Sequence, residues 1–560
     1  MSLNYKSSLL EILGIIFLST IIFIFTTGGK IIYFDNIDWL FGVKNIVTDS
    51  EQHYISWLFF KNSDFFQFPL FKNYHYGMEI SSSLIHSDSK PILAIFFKAF
   101  KNFLPFHFQY FGLWIYLSFI FQGLFSFLII KKFTKSYWIG LLCSSFFLLA
   151  PVLTYRLFWG HESLFGQWII LCGLYLYLND YNLKKWIALS SLSLLVHPYF
   201  FAMISLLFFA TLIKEILDKQ LSFKKIIAPS LIYIGTSLTL QIIFGYYAIG
   251  LNFLTSGYDF FKANMNTLFD SSPGWGINYS RVLPDLYNSI PPIGGEYEGF
   301  AFLGIGIFII LILNLFKFSQ EKLVKKEKFS NRIKVLIYLT VLLIIYSISN
   351  KISIGQYEIL SYPLPPFIKF ITETFRVSGR FIWPVYYIIY IGSFYLLIKN
   401  FSQKYVAIIL LCALSLQIWD MFPNYNKLRT KMLSPQIYYK DFNKSDKYKL
   451  NDPKWKIIGS EYNNLYYVYP HYAPENFVKL SMFASKYKLK VNFGYFSRTD
   501  KSQVKKERER LQSIIMNNNL SKNSIYYIHD SEIIELVKNN QSNYNLIKLE
   551  DDLLFLIPNK

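Results

Sequence analysis

Ionisable and hydrogen-bonding side chains are crowded into IVTDSEQHYISWLFF, residues 46–60, shortly after the first long apolar run of the chain. Asp49 and His53 are four residues apart, so a helix would place both on one face. Thr48 followed by Glu51 has the spacing of a helix capping box. The apolar residues that follow suit a short helix lying in the membrane interface. A cap uses only one or two polar side chains, so the additional polar side chains of this stretch also indicate a site for chemistry.

A second polar cluster, YGMEISSSLIHSDSKP at 76–91, follows in the same predicted loop. One interpretation is a polar turn before a helix that begins at a proline. The other is that His86 and Asp88 share a site with Asp49 and His53. Two carboxylates and two imidazoles could hold a divalent cation such as magnesium or manganese, or supply a general base and its orienting partner. The spacing leaves both interpretations open.

Two further groups of charged residues stand at the ends of apolar runs. YRLFWGHESLFGQW contains Arg156, His161 and Glu162, and ionisable groups at the hydrocarbon boundary often serve function. Snorkelling of Arg156 to lipid headgroups is the alternative. RVSGR contains Arg376 and Arg380 at i and i+4, a pair that suits a phosphate because guanidinium groups donate bidentate hydrogen bonds. Ordinary phospholipid headgroups would also suit this pair.

The composition indicates that membrane helices position these clusters. Only 16% of the 560 residues are charged and the mean hydropathy is +0.29, whereas a soluble domain carries about 25% charged residues. Lysines beside membrane spans explain the formal charge of +20 better than nucleic-acid binding does. The apolar runs predict about eleven crossings, near residues 9–27, 110–130, 137–155, 164–179, 184–197, 199–213, 226–247, 300–316, 334–348, 381–398 and 404–420.

Short basic connections alternate with longer connections that are rich in aromatic, glycine, proline and acidic residues. The positive-inside rule places the basic connections and the N-terminus in the cytoplasm, so a large first loop at 28–108 faces outward. We therefore predict a mostly α fold, with a polytopic transmembrane helical bundle over 1–422 and an extracytoplasmic α/β domain over 423–560. In that domain we expect strands at 455–460, 464–470, 489–496 and 524–530, helices at 501–518 and 531–540 capped by Ser502 and Ser531, and a closing hairpin at 546–558.

Several motifs resemble those of an uncharacterised family of polytopic bacterial membrane proteins. They include DSEQHYISWLFFKN, SLIHSDSKPILAIFFK, RLFWGHESL, YEGFAFLGIG and VSGRFIWP. That family is in turn similar to the C-type glycosyltransferases (GT-C), which are integral membrane enzymes that use lipid-phosphate-linked sugars. The resemblance covers most of residues 40–425, and the step from family to reaction depends on shared architecture.

The resemblance implies transfer of a sugar from a polyprenyl-phosphate donor to a cell-envelope glycan, lipid or protein acceptor, on the outer face of the bacterial plasma membrane. It also implies a reacting acid in the first outer loop, where Asp49 matches, with Asp88 and Glu162 as further candidates. The loop has no paired DxD or ExD motif, and its nearest string is SDS at 87–89. The dominant acid and any need for a cation therefore stay open.

The remaining candidates have supporting roles under the same resemblance. His53 and His86 would tune the base or help to hold a cation, and Trp57 would stack on a sugar face. The residues that would bind or stabilise the donor phosphate are Arg156, His161, Arg376 and Arg380. A transporter or flippase of lipid-linked oligosaccharide is the alternative function. Transporters place ionisable groups near the middle of the membrane, often in repeated halves, whereas these groups cluster in loops.

Overall fold

The computed structural model describes residues 5–41, 48–250, 255–274, 277–284, 294–321, 330–435, 450, 452–468, 470, 474–539, 544–549 and 552–558. Helices dominate this part of the chain. They are α1 (Tyr5–Thr27), α2 (Asp49–Asn62), α3 (Pro91–Lys98), α4 (Phe111–Ile130), α5 (Tyr137–Leu148), α6 (Pro151–Phe158), α7 (Trp168–Tyr177), α8 (Leu183–Leu194), α9 (Pro198–Leu217), α10 (Ile227–Phe244), α11 (Ile305–Glu321), α12 (Asn331–Ile348), α13 (Lys369–Thr374), α14 (Ile382–Asn400), α15 (Gln403–Leu433), α16 (Lys454–Glu461), α17 (Phe477–Lys486), α18 (Lys501–Met516) and α19 (Ser531–Asn539). The strands are β1 (Lys351–Ile354), β2 (Tyr357–Ser361), β3 (Asn464–Tyr467), β4 (Lys490–Val491), β5 (Ser524–Ile528), β6 (Tyr544–Lys548) and β7 (Leu554–Pro558).

The chain divides into two compact units, which are described separately. The first unit comprises Met1–Ile32, Phe111–Ser237 and Leu254–Leu433, and the second comprises Tyr33–Tyr110, Leu238–Phe253 and Ser434–Lys560. Most of the predicted first outer loop therefore belongs to the same unit as the C-terminal part of the sequence.

Among the described residues, eight helices are long and apolar enough to cross a membrane. They are Leu9–Thr27, Phe111–Ile130, Tyr137–Phe158, Pro198–Leu217, Phe223–Phe244, Asn331–Ile348, Ser378–Asn400 and Gln403–Leu433. Each meets the length of about 20 residues that a hydrocarbon core requires. The prediction of membrane-spanning helices is confirmed at this level. The sidedness of the loops depends on the number of crossings and stays a prediction.

The other three predicted crossings, at 164–179, 184–197 and 300–316, are not confirmed as spans. They form α7, α8 and α11, and α7 and α11 are apolar but short. Asn182 caps α8 at its start and the His197–Pro198 corner follows its end, leaving 12 helical residues. Such a helix is about 18 Å long, well below the hydrocarbon thickness.

Packing at the start of α4 depends on Gly112. A Cβ atom added there would lie 1.7 Å from the carbonyl oxygen of Ile31, whereas one added at Gly392 in α14 meets nothing within 4 Å. Gly112→Ala is expected to lower the free energy of unfolding by about 1–3 kcal/mol, because the backbone must shift. Gly392→Ala is expected to leave it unchanged or raise it by up to about 1 kcal/mol, through helix propensity. Unfolding of the detergent-purified protein measures both, and equal losses would contradict the close approach.

The sheet of the second unit has the strand order β4-β3-β5-β7-β6. The strands β4, β3 and β5 are parallel, and β7 is antiparallel to both β5 and β6. Helices α17 and α18 lie in the connections between the parallel strands, as such crossovers require. The predicted strands at 464–470 and 524–530, the closing hairpin and both predicted helices are confirmed, and the strand predicted at 489–496 is reduced to β4.

Residues 455–460 form helix α16, so the strand predicted there is wrong. α16 buries Trp455 and Ile458, which are three residues apart, and Trp455 packs on Phe483 with 4.6 Å between ring centroids. This tertiary packing overrides the β propensity of the segment. Ser502 does not cap α18, because the N-cap residue is Asp500, whose side chain accepts a hydrogen bond from the Ser502 backbone.

Helix α2 lies in the core of the second unit, so the prediction of an interfacial helix is wrong. The predicted capping box is confirmed, with the Thr48 backbone N–H 3.1 Å from the Glu51 carboxylate. Every side chain from Ser50 to Lys61 is buried. Asn62 Nδ2 donates to the Ser485 carbonyl at 2.9 Å, which joins α2 to α17. Part of the surface that buries α2 comes from residues more than four hundred positions away in the sequence. Local patterning cannot indicate such a contact.

A strand-like segment of the same outer loop extends the sheet at its β4 edge. The backbone N–H of Gly77 donates to the Val491 carbonyl at 2.8 Å, and the N–H of Val491 donates to the His75 carbonyl at 3.0 Å. Tyr76 between them is fully buried and stacks on Phe59 of α2 with 5.0 Å between centroids. The loop therefore contributes both backbone pairing and core to the C-terminal sheet, and Tyr76 is a core residue.

Candidate functional site

A carboxylate bound by two arginines stands at the ends of apolar helices in the first unit. Glu298 accepts hydrogen bonds from Arg156 Nη1 at 2.7 Å and from Arg380 Nε and Nη2 at 3.0 and 2.9 Å. Arg156 Nη2 also donates to the backbone carbonyl of Glu298. The Arg380 contact is the bidentate arrangement in which guanidinium and carboxylate are best matched. We call these three residues the arginine cluster.

Three separate segments supply the arginine cluster. Arg156 lies in the last turn of α6, Glu298 in the turn Glu296–Gly299, and Arg380 in the turn Ser378–Phe381 before α14. The two turns approach each other so closely that a Cβ atom added to Gly379 would lie 2.7 Å from the Cα atom of Gly299. A side chain at Gly379 would separate the turns, so glycine is needed there to bring Glu298 to Arg380.

Burial and charge act on Glu298 in opposite directions. Arg156 is fully buried, and the side chains of Glu298 and Arg380 are 8% and 12% exposed. Burial raises the pKa of the Glu298 carboxyl, but Arg380 and Arg156 outweigh this effect and hold the pKa well below its usual range. Glu298 is therefore ionised, and two guanidinium groups against one carboxylate leave the arginine cluster with one net positive charge.

The other predicted residues of the first unit have different surroundings. His161 Nδ1 lies 3.1 Å from Arg156 Nη1 and must accept, because a guanidinium group only donates. Arg376 lies over the ring of Phe261 at 5.3 Å and, within the described part of the chain, has no carboxylate partner. Glu162 is fully buried. The structure thus brings Arg156, His161 and Arg380 together, and snorkelling of Arg156 is wrong because its side chain is buried against Glu298.

Asp49 and His53 occupy the first two turns of α2 in the second unit. Asp49 is half-buried in the first turn, where the helix dipole favours a carboxylate, and His53 is buried. The backbone carbonyl of His53 accepts a hydrogen bond from Ser89 Oγ at 2.7 Å. Thr48 and Glu51 form the capping box. The helical spacing of Asp49 and His53 is confirmed, and the catalytic role of Asp49 stays a prediction.

His86 and Asp88 lie at the turn Leu84–Ser87 of the second unit. His86 Nε2 is 2.9 Å from the carbonyl oxygen of Tyr246, and because a carbonyl only accepts, Nε2 carries the proton. Burial lowers the pKa of His86 to about 4, and nearby Arg498 adds to that shift, so the imidazole is neutral at neutral pH. Asp88 is half-buried with a left-handed φ of 50°. A neutral histidine beside a carboxylate suits orientation of a ligand or a base.

The predicted magnesium or manganese site is not assembled. In the part of the chain that the structure describes, no group of three or more His, Cys, Asp or Glu side chains could hold a metal ion. The four residues proposed for it from the sequence are all described, and they are Asp49, His53, His86 and Asp88. The physical reason is that His86 is engaged with the Tyr246 carbonyl and His53 is buried in the core of its unit.

Trp57 is a core residue and does not offer a face to a sugar. Its side chain is fully buried, its Nε1 donates to the Phe108 carbonyl at 3.2 Å, and its ring packs on Tyr110 with 4.9 Å between centroids. The stacking role predicted from the sequence is therefore wrong. The helix α2 is buried on all sides, which the sequence alone could not distinguish from a helix with one face against lipid.

Sequence reasoning missed Glu298 and assigned no role to the loop Gly294–Gly299. That loop also carries Glu296, whose Oε1 lies 3.5 Å from Lys262 Nζ with both side chains 1% exposed. The available signal was two glutamates framed by glycines immediately before an apolar run, in a chain with 36 acidic and 56 basic residues. Two such acids beside a membrane helix require partners, but the sequence does not indicate which ones.

The sequence pattern of a family described as Domain of unknown function (DUF6311) matches residues 16–422, and that of the DUF6311 C-terminal domain matches residues 454–558. The chain belongs to the DUF6311 family. A comparison with curated proteins gives no match. The arginine cluster and the residues Asp49, His86 and Asp88 all fall inside the longer DUF6311 match, so the candidate sites of both units belong to the family domain.

Proposed function

We propose that this DUF6311 protein is a membrane glycosyltransferase that uses a polyprenyl-phosphate-linked sugar. The observation that carries the proposal is the arginine cluster, where two guanidinium groups share one carboxylate beside the ends of membrane-length helices. Its single net positive charge matches the single negative charge of a lipid phosphodiester, and arginine is the side chain best suited to phosphate oxygens.

The proposed chemistry forms one bond and breaks one bond. An acceptor hydroxyl attacks the anomeric carbon, the bond from that carbon to the phosphate oxygen breaks, and the electron pair leaves with the phosphate. The hydroxyl proton passes to a base, for which Asp49 is the first candidate and Asp88 the second. The departing phosphate gains a second negative charge. Arg376 has no carboxylate partner among the described residues and supplies a second positive charge to offset it.

The two clustered arginines have different roles in this proposal. Arg380 is 12% exposed and can reach a bound phosphate, whereas Arg156 is fully buried. Arg156 therefore acts through Glu298, which it holds in place for Arg380, and is a positioning residue. The outer face of a bacterial plasma membrane, with a glycan, lipid or protein acceptor, is the proposed setting.

Transfer from a labelled donor tests the proposal. Purified protein in lipid nanodiscs is incubated with radiolabelled polyprenyl-phosphate sugars and a cell-envelope glycan extract. Arg380→Gln is expected to reduce the transfer rate about 100-fold through loss of charge stabilisation. The matched control is Arg429→Gln, because among the described residues Arg429 donates to the backbone carbonyls of Ile24 and Phe25 and to no carboxylate; it should retain the wild-type rate.

Measurements on the same preparations distinguish a transferase from a flippase. Absence of transfer by the wild type, together with translocation of the labelled lipid in proteoliposomes, would replace the transferase with a flippase. Equal rates for Arg380→Gln and Arg429→Gln, both confirmed as folded by thermal unfolding, would remove the arginine cluster from the reaction.

A further inference from the structure

A small polar pocket is lined by the same turn that carries Glu298. Its volume is about 20 Å³, and its polar walls include Asn264, Asn266, Thr267, Asp270, Glu296 and Tyr297. A space of this size holds one water molecule or one hydroxyl group, and not a whole sugar ring. All of these residues belong to the first unit.

Two buried acceptor atoms in this pocket are incompletely satisfied by the residues that the structure describes. Glu296 Oε2 accepts from Asn264 Nδ2 at 2.8 Å, whereas the buried Glu296 Oε1 lies 3.5 Å from the Lys262 ammonium group, at the outer limit of hydrogen-bond distance. Asn266 Nδ2 donates to Asp270 Oδ2 at 3.2 Å, while Asn266 Oδ1 is buried and has no partner. Buried acceptors are costly unless a donor reaches them, so the pocket suits a ligand that brings a hydrogen-bond donor.

The charges around the pocket favour a neutral donor over a cation. Lys262 Nζ lies 3.5 Å from Glu296 Oε1 and donates to Ser353 Oγ at 2.7 Å, so an ammonium group already neutralises Glu296. Counting Lys262, Glu296 and Asp270 leaves one negative charge. A divalent cation would be repelled by the buried ammonium group and only partly neutralised by this charge. A hydroxyl group can donate to the incompletely satisfied oxygens without adding charge.

We propose that this pocket recognises one hydroxyl group of the sugar on the polyprenyl-phosphate donor. This inference rests on the proposed function and adds a specificity-determining subsite to it. Glu296 and Glu298 are two residues apart in one turn, so their backbones are separated by at most about 7 Å. One sugar ring spans such a distance, with its phosphate at the arginine cluster and one hydroxyl in the pocket. Residue Glu296 would then select the sugar and Glu298 would organise the phosphate-binding arginines.

Measurements of lipid affinity distinguish the contribution of this subsite from that of the phosphate site. The full-length protein in nanodiscs is titrated with a short-chain polyprenyl phosphate and with the same lipid carrying glucose, galactose or mannose. The wild type is expected to bind at least one sugar-bearing lipid about tenfold more tightly than the bare lipid. Asn266→Ala and Glu296→Gln should abolish that difference while keeping the affinity for the bare lipid. Arg380→Gln should weaken both, and Asn331→Ala, at a half-buried asparagine of α12 that bonds the Leu217 carbonyl, should change neither.

Several results would overturn the inference. A wild type without preference for a sugar, or a preference that survives in both pocket variants, would exclude a hydroxyl subsite. Folded pocket variants that lose affinity for the bare lipid and the sugar-bearing lipid equally would also exclude a hydroxyl subsite. A rise in melting temperature with magnesium or calcium in the wild type, absent in Glu296→Gln, would make the pocket a cation site. A wild type that binds none of the lipids would remove the proposed function as well, which distinguishes the two failures.

Discussion

Glu298→Gln is expected to lower the free energy of unfolding by about 3–5 kcal/mol, because it leaves two buried guanidinium groups without a counter-charge. The Glu298 carboxylate accepts three side-chain hydrogen bonds from Arg156 and Arg380. Glutamine has one acceptor oxygen, and its amide group would direct N–H donors towards one of the arginines. Thermal and denaturant unfolding of the purified protein, followed by tryptophan fluorescence, measure the loss.

The control is Glu373→Gln, which removes a partly exposed ion pair of the same unit. Glu373 lies 3.6 Å from Lys369 on α13, with Lys369 69% exposed, so the expected loss is below about 1 kcal/mol. Losses of equal size at the two glutamates would contradict the importance of burial at Glu298.

The pH dependence of the Glu298 effect follows from its low pKa. A carboxyl whose folded pKa lies below its ordinary pKa of 4.5 stabilises the folded protein at pH values above 4.5. This stabilisation is lost as the pH falls from 4.5 towards the folded pKa. The difference between wild type and Glu298→Gln should therefore be constant from about pH 5 to 8 and shrink in more acidic solution. A difference that grows on acidification would show that Glu298 is not ionised in the folded protein.

Asp49→Asn is expected to reduce glycosyl transfer about 1,000-fold, because an amide cannot take the proton of the acceptor hydroxyl. Asp49 is half-buried in the first turn of α2, and the capping box is formed by Thr48 and Glu51. Loss of its charge at the helix N-terminus should cost about 0.3–1 kcal/mol of stability through the helix dipole. Initial rates with a labelled polyprenyl-phosphate sugar, measured beside thermal unfolding, separate catalysis from stability.

Asp64→Asn is the matched control for Asp49, since Asp64 lies in the same outer loop and is exposed. It should transfer at the wild-type rate. Transfer by Asp49→Asn within a few fold of the wild type would remove Asp49 as the base, and a large loss in Asp88→Asn would then assign that role to Asp88, beside the neutral imidazole of His86.

The membrane helices were predictable because their signal is local. A run of about 20 apolar residues is sufficient to indicate a crossing, and eight of the predicted segments form helices long and apolar enough to span a membrane. The shortness of the helices α7, α8 and α11, which are not confirmed as crossings, has a local cause as well. A capping asparagine, a proline or a polar turn shortens a helix by several residues, and apolar content alone does not locate those ends.

The sequence by itself determined the membrane class, the capping box at Thr48 and Glu51, and several C-terminal strands and helices, because each depends on neighbours within a few residues. Only the tertiary structure decided that α2 is a core helix and that Glu298 joins Arg156 and Arg380. The hydrogen bonds of Glu298 link residues 142 and 82 positions apart. No periodicity encodes such pairs, since a buried charge selects its partner through the packing of the whole unit.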